Sequence, residues 1–149
     1  MPNWCEGTLK VRGEKENLTR FILEGLKPIN LLGGEKEPLE FNRYGEIESK
    51  ETCWIEGTQR GFVNNLYISS YDIEEDELIC LDAKFAWSID VKGLQKACQK
   101  FKVDMRMFGF ELGMEFNKEV EIIDGEITMD DEITFNDYRW ECPCPNMGG

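Results

Sequence analysis

The chain of 149 residues contains no histidine. That absence removes the side chain most often used as a general base near neutral pH and a common zinc ligand, and it excludes Ser-His-Asp and Cys-His catalysis. Any chemistry is left to carboxylates, thiols, lysines and tyrosines. Positive charge is scarce as well: 17 Lys and Arg stand against 30 Asp and Glu, a formal net charge of −13. A field of that sign repels nucleic-acid phosphates and anionic membranes, so neither is the expected partner. No apolar run approaches the roughly 20 residues of a bilayer span, and the N-terminus has neither a basic leader nor a hydrophobic signal segment. The expectation is a soluble protein of the cytoplasm. A chain of this length folds as one domain, 1–149, and buries roughly 70% of its unfolded surface without staples.

Six cysteines are present. Cys80 and Cys98 fall at apolar positions of a predicted strand and helix, where a reduced thiol packs as a small hydrophobe. Cys142-Pro143-Cys144, with Cys5 and Cys53, lacks the usual C-x₂₋₄-C spacing of a zinc site. The expected tail is one of free thiols with Trp140 packed on the body, and no metal or cofactor is expected.

Apolar periodicity divides the chain. Gly7–Arg12 alternates in an opening strand that stops at Gly13, and Trp4, Leu9 and Val11 are apolar anchors that need a core. Leu18, Phe21, Ile22 and Leu26 share one face of a helix over about 15–26, ended by Pro28. Residues 28–50, with Gly33-Gly34, Pro38 and Gly45, read as a long loop holding a short strand near Glu40–Tyr44. Thr52–Gly57 and Glu77–Phe85 read as strands; Arg60–Tyr71 fits either a helical turn or a strand, and the acidic knot Asp72–Glu77 reads as a loop. Val91, Leu94, Ala97, Cys98 and Phe101 form the stripe of a second helix with Ser88 or Asp90 as its cap. Val103–Met107 alternates again. Asp124-Gly125 inside Val120–Thr128 suits a type I′ hairpin turn, and Glu132–Phe135 adds a last strand. The order predicts an α+β, ferredoxin-like βαββαβ antiparallel sheet with two helices on one face, plus a C-terminal β-hairpin extension.

The opening Met1-Pro2-Asn3-Trp4-Cys5, followed by Leu9-x-Val11-x-Gly13, resembles the start of the YubB-like ferredoxin-like family, small proteins of phages and plasmids. Ala86-Trp87-Ser88 and Phe110-Glu111-Leu112-Gly113-Met114-Glu115-Phe116 are similar to further segments of that family. The resemblance implies a fold and a mobile-element origin, and it supplies no enzymatic role.

The sharpest candidate site is acidic. Residues 111–141 hold eleven acids and two bases, −9 of the total charge. In a hairpin Glu119 and Glu121 align with Glu126, with Asp130, Asp131 and Glu132 at the far end and Asp137 beyond. Such a surface can occupy a basic nucleic-acid channel of another protein by charge mimicry. The plain alternative is a solvated face whose charges keep a sheet edge from pairing. The resulting expectation is a non-enzymatic protein that binds a host protein with a basic nucleic-acid-binding surface and inhibits a host defence system of CRISPR or restriction type. A nucleotide- or RNA-binding module is the alternative, since Trp4, Trp54, Trp87 and Trp140 offer stacking surfaces, but the aromatic-basic interleaving such modules need is missing, and core packing with a covered sheet face is the better reading of these aromatics. A metal-dependent nuclease built on clustered carboxylates is a weaker one. Gly57-Thr58-Gln59-Arg60-Gly61-Phe62 lacks the lysine and spacing of a phosphate loop, which leaves Arg60 as an exposed anchor or an ion-pair partner.

Overall fold

The computed structural model describes every residue except Gly33 and the side chain of Asp76; the Gly33 half of the expected Gly33-Gly34 loop signal therefore lies outside the described residues. The chain runs β1 (Trp4–Arg12), α1 (Lys15–Arg20) with one π-helical turn (Phe21–Gly25), β2 (Leu26–Ile29), β3 (Glu46–Ser49), β4 (Thr52–Ile55), β5 (Gly61–Asn64), β6 (Leu66–Ser69), a second π turn (Asp72–Asp76), β7 (Leu78–Ala86), α2 (Val91–Phe101), β8 (Asp104–Glu111), β9 (Phe116–Ile123), β10 (Glu126–Thr134) and α3 (Tyr138–Glu141). Eight strands form one antiparallel sheet in the order β10-β9-β8-β1-β7-β5-β4-β2, and β3 pairs with β6 in a separate two-stranded sheet.

This architecture overturns the expected ferredoxin-like βαββαβ domain. The molecule is mostly β, with ten strands among the described residues and an eight-stranded sheet in place of four strands plus a hairpin. The physical reason lies between residues 26 and 69. There, runs of only four residues, too short to display a clear period, gain partners from other strands and become β2 to β6. The first helix, expected over about 15–26, ends at Gly25, and Leu26 and Pro28 sit inside β2 opposite Ile55 and Cys53. The short strand expected near Glu40–Tyr44 forms instead at Glu46–Ser49, and the ambiguous Arg60–Tyr71 resolves into two strands. The last strand is one continuous β10 rather than a short addition at Glu132–Phe135.

Alternation decides what the sheet buries. Cys5, Leu9 and Val11 of β1, Ile79, Leu81 and Phe85 of β7, and Met105 and Met107 of β8 point to one face and are buried. The helices cover that face. Leu18, Phe21 and Ile22 from the first helix meet Leu94, Cys98 and Phe101 of α2 in one continuous core. Gly25 permits the tightest contact there: a Cβ would lie 2.9 Å from both phenyl rings, which instead pack edge to face with centroids 5.7 Å apart. Burying a side chain such as Phe101 contributes about 1.5–3 kcal/mol. Asp90 caps α2 by accepting the Gly93 N–H at 2.9 Å, and Lys102 ends it in the left-handed region.

The C-terminal hairpin follows its sequence signal. Asp124 and Gly125 both have positive φ, +51° and +74°, as a type I′ turn requires. The Gly125 carbonyl accepts hydrogen bonds from Gln95 and Gln99 at 2.9 and 3.0 Å, which ties the turn to α2.

Two local expectations change. Cys80 is exposed, because its position in β7 alternates onto the face away from the helices. Trp140 is 87% exposed, and Tyr138 and Cys142 pack on the body in its place.

Candidate functional site

The seven acidic candidates do not form one ladder. Pairing of β9 with β10 places Glu119 directly opposite Asp131, whereas Glu121 faces Met129 and Glu126 faces Ile123. These acids share the sheet face away from the helices. Asp130 and Glu132, opposite Val120 and Lys118, alternate to the helix side. Three carboxylates are already partnered: Arg106 forks onto Glu119 at 2.7 Å and Glu121 at 2.6 Å, and Lys118 reaches Asp130 at 3.1 Å. A hydrogen bond from the Thr128 hydroxyl, then the Arg106 guanidinium, holds the Glu121 carboxyl below its ordinary pKa. Asp137 caps α3, accepting the Trp140 N–H at 3.3 Å. Glu126, Asp131 and Glu132 remain exposed and make no ion pair among the described residues. All three lie on β10, which is an outer edge of the sheet.

The centre of the same open face has a different character. Register carries one row of side chains across the strands: Lys27 on β2, Trp54 on β4, Phe62 on β5, Lys84 on β7, Glu6 on β1 and Phe110 on β8. Asn117 of β9 continues it. One step along β1 from Glu6, Trp4 stands edge to face with Phe62, centroids 6.1 Å apart. Two cations approach the Trp4 ring, the Lys84 ammonium at 4.8 Å and the Arg60 guanidinium at 5.8 Å from its centroid. Arg60 is held beside Trp4 because its carbonyl accepts the Ala86 N–H, and Ala86 is the strand partner of Trp4. Lys27 lies 5.7 Å from the Trp54 centroid while bonded to Glu56, and Trp54 donates its indole N–H to the Thr58 carbonyl at 3.1 Å. Phe108 and Phe110 form a second aromatic pair, 5.1 Å apart. Trp4, Trp54, Phe62, Phe108 and Phe110 are each half-buried, so their outer surfaces meet solvent.

Aromatic-basic interleaving therefore exists, but perpendicular to the chain direction. Trp4, Trp54 and Arg60 were visible as candidates; Lys27, Phe62, Lys84, Phe108 and Phe110 were not. Period-two alternation marks each as outward-facing, yet only strand order makes them neighbours. The four tryptophans do not act together, since Trp87 lies beyond the end of β7 and Trp140 on α3.

Towards the other end of β1 the open face forms a cleft of about 570 Å³, lined by Lys10, Arg12, Leu78, Asp104, Arg106 and Glu121 among others. Its charges largely cancel, with Arg12 on Asp104 at 3.2 Å and Arg106 on Glu121.

The thiols divide by environment. Burial pushes Cys5 and Cys98 up to about 12 and Cys53 to about 11, so these thiols are protonated packing groups. Cys142 differs: burial opposes its thiolate, but hydrogen bonds from Tyr138 and Asn117 outweigh that and hold it below the ordinary thiol value. Tyr138 donates to the Asn117 Oδ1 at 2.9 Å, and the Asn117 amide lies 3.5 Å from the Cys142 sulfur. This buried cluster clamps the C-terminal segment to the open face beside Phe110. Further along, the Gly149 N–H bonds the Trp4 carbonyl at 2.9 Å.

Among the described residues, no group of three Cys, Asp or Glu side chains is arranged to hold a metal ion. No helix of the described residues is long and apolar enough to cross a membrane. No family model, curated protein or solved structure matches the chain.

Proposed function

We propose that the chain is a binding protein that holds a planar, anionic ligand of the nucleobase type on the open face of its sheet. The observation that carries this reading is Trp4 flanked by Arg60 and Lys84, at the centre of a row that also presents Trp54, Phe62 and Phe110. A base stacked on such a ring contributes about 1–3 kcal/mol, and the two cations offer charge to a phosphate. The net charge of −13 does not govern this spot. Lys84 on β7 is four strand positions from β10, about 19 Å at ~4.8 Å per strand. That exceeds twice the Debye length of about 8 Å at physiological ionic strength, so the acidic edge is largely screened there.

Titration of adenosine monophosphate, followed by tryptophan fluorescence and by backbone amide shifts, tests the reading. Quenching and shifts on β1, β5 and β7 are expected by about 10 mM, because ~4 kcal/mol of binding corresponds to a dissociation constant near 1 mM. Trp4→Ala should abolish the response. Shifts absent from these strands at saturation of the accessible range would refute it.

A second reading rests on Glu126, Asp131 and Glu132, exposed and unpaired on the free edge strand β10. Here the chain docks a basic nucleic-acid-binding surface of a host protein in the host cytoplasm, as a non-enzymatic inhibitor of host defence carried by a phage or plasmid. The family resemblance of the opening motif supports that origin. Displacement of DNA from a restriction or CRISPR nuclease by the chain, lost on reversing these three charges and in high salt, is its expected result; displacement by the reversed variant would rule it out.

A further inference from the structure

We infer that the ligand of the open face is a single-stranded nucleic acid laid across the strands, an inference that rests on the preceding reading and adds the ligand's class. Its first support is length. From Trp54 on β4 to Phe110 on β8 the row crosses β5, β7 and β1, four strand spacings or about 19 Å. A mononucleotide, with one base and one phosphate group, cannot engage both ends. A strand with successive bases can.

The second support is the order of groups along the row. Aromatic surface lies on both sides of a charged centre: Trp54 and Phe62 on one side, Phe108 and Phe110 on the other, with Lys84 and Glu6 between them and Trp4, on β1 beside Glu6, reaching Phe62, Lys84 and Arg60. Bases separated by charged backbone present that alternation, and sheet-face modules for single-stranded RNA stack about two or three bases in this way. Lys84 and Arg60 make no ion pair among the described residues, so both charges are available.

The third support concerns what is kept out. In a duplex the base faces are stacked inside and are not presented to an aromatic row, whereas the bases of a single strand are free to lie on one. On the open face, Glu119 and Glu121 of β9, held by Arg106, stand as a negative margin beside β8. The ligand track therefore ends at Phe110 and occupies β2 to β8.

The experiment compares fluorescein-labelled single-stranded RNA and DNA decamers of one mixed sequence, a duplex of the same sequence and adenosine monophosphate, all against the full chain. A single strand is expected to bind at least tenfold tighter than the monophosphate and than the duplex, and the RNA and DNA arms identify which source is preferred. Phe110→Ala should weaken the decamer at least fivefold. Lys84→Gln with Arg60→Gln should lower the salt slope by about 1.4, at ~0.7 per phosphate neutralised on a single strand. Because Phe110→Ala removes half-buried surface, its amide spectrum must match the parent; the Lys84→Gln, Arg60→Gln pair is the surface variant that tests the inference regardless. Equal affinity for decamer and monophosphate, or for decamer and duplex, overturns this inference while leaving a nucleobase site standing. No binding of any of the probes overturns both.

Discussion

Replacing Asn117 with alanine should release the C-terminal segment without unfolding the sheet. Asn117 is fully buried although it sits on the open face, because Tyr138 and Cys142 cover it. Removing its side chain takes away the acceptor, 2.9 Å off, of the hydroxyl of buried Tyr138 and leaves that group only the weak Cys142 sulfur. An unsatisfied buried hydroxyl costs about 1–3 kcal/mol, and the weak thiol contact adds little, so a loss of about 2 kcal/mol is expected. The loss is local because α3 has only four residues and its packing is confined to this corner. Hydrogen exchange reads it directly. The amides of Cys142, bonded to the Tyr138 carbonyl, and of Gly149, bonded to the Trp4 carbonyl, should exchange about 30-fold faster, the ratio for ~2 kcal/mol. Amides of Leu9 and Leu81 should keep their rates. Tyr138→Phe, which leaves the Asn117 oxygen poorly satisfied instead, should accelerate the same tail amides. Unchanged tail exchange in Asn117→Ala, or equal acceleration at Leu9 and Leu81, would refute the idea of a separable clamp.

Phe101→Ala removes a fully buried ring packed on Phe21 and should cost about 3–5 kcal/mol, seen as a fall in Tm of roughly 6–20 °C in calorimetry at ~2–4 °C per kcal/mol. Gly125→Ala puts a Cβ on a residue with φ of +74° and 2.9 Å from the Gln99 side chain; a loss of about 1–2 kcal/mol in urea unfolding is expected, and no loss would argue against the type I′ turn. Burial works against the Glu56 carboxylate, but Lys100 and Lys27 together hold its pKa below the ordinary value. A folded pKa lower than the unfolded one contributes stability at and above the unfolded value that is lost as pH falls through the folded one. Tm should therefore drop more between pH 5 and pH 3 in the parent than in Glu56→Gln, on a scale of about two units around the ordinary carboxylate pKa of ~4.3. At pH 8 a thiol reagent should modify exposed Cys80 and Cys144 rapidly and Cys5 and Cys98 only on unfolding, since burial raises both of the latter to about 12; fast native modification of Cys5 would contradict its place in the core.

What could be read without the fold was local. The alternation of Gly7–Arg12 in β1, the stripe and Asp90 cap of α2, and the Asp124-Gly125 turn are each set by residues within a few positions of one another and took their expected form, whereas Trp4, expected in the core, stands half-buried on the open face. Composition alone fixed the absence of histidine chemistry and the excess of negative charge in residues 111–141. Tertiary structure decided the rest, because sheet pairing joins segments far apart in the chain and its order is not encoded in any short pattern. The four-residue strands β2, β4 and β5 became the wide flank of the sheet only once they found one another and β7. That pairing split the acidic candidates between two faces, sheltered Glu119 and Glu121 under Arg106, and set Lys27, Trp54, Phe62, Lys84 and Phe110 in a row. Side chains separated by as many as 83 positions, as Lys27 and Phe110 are, become members of one surface because strands stack every ~4.8 Å while the chain between them loops away.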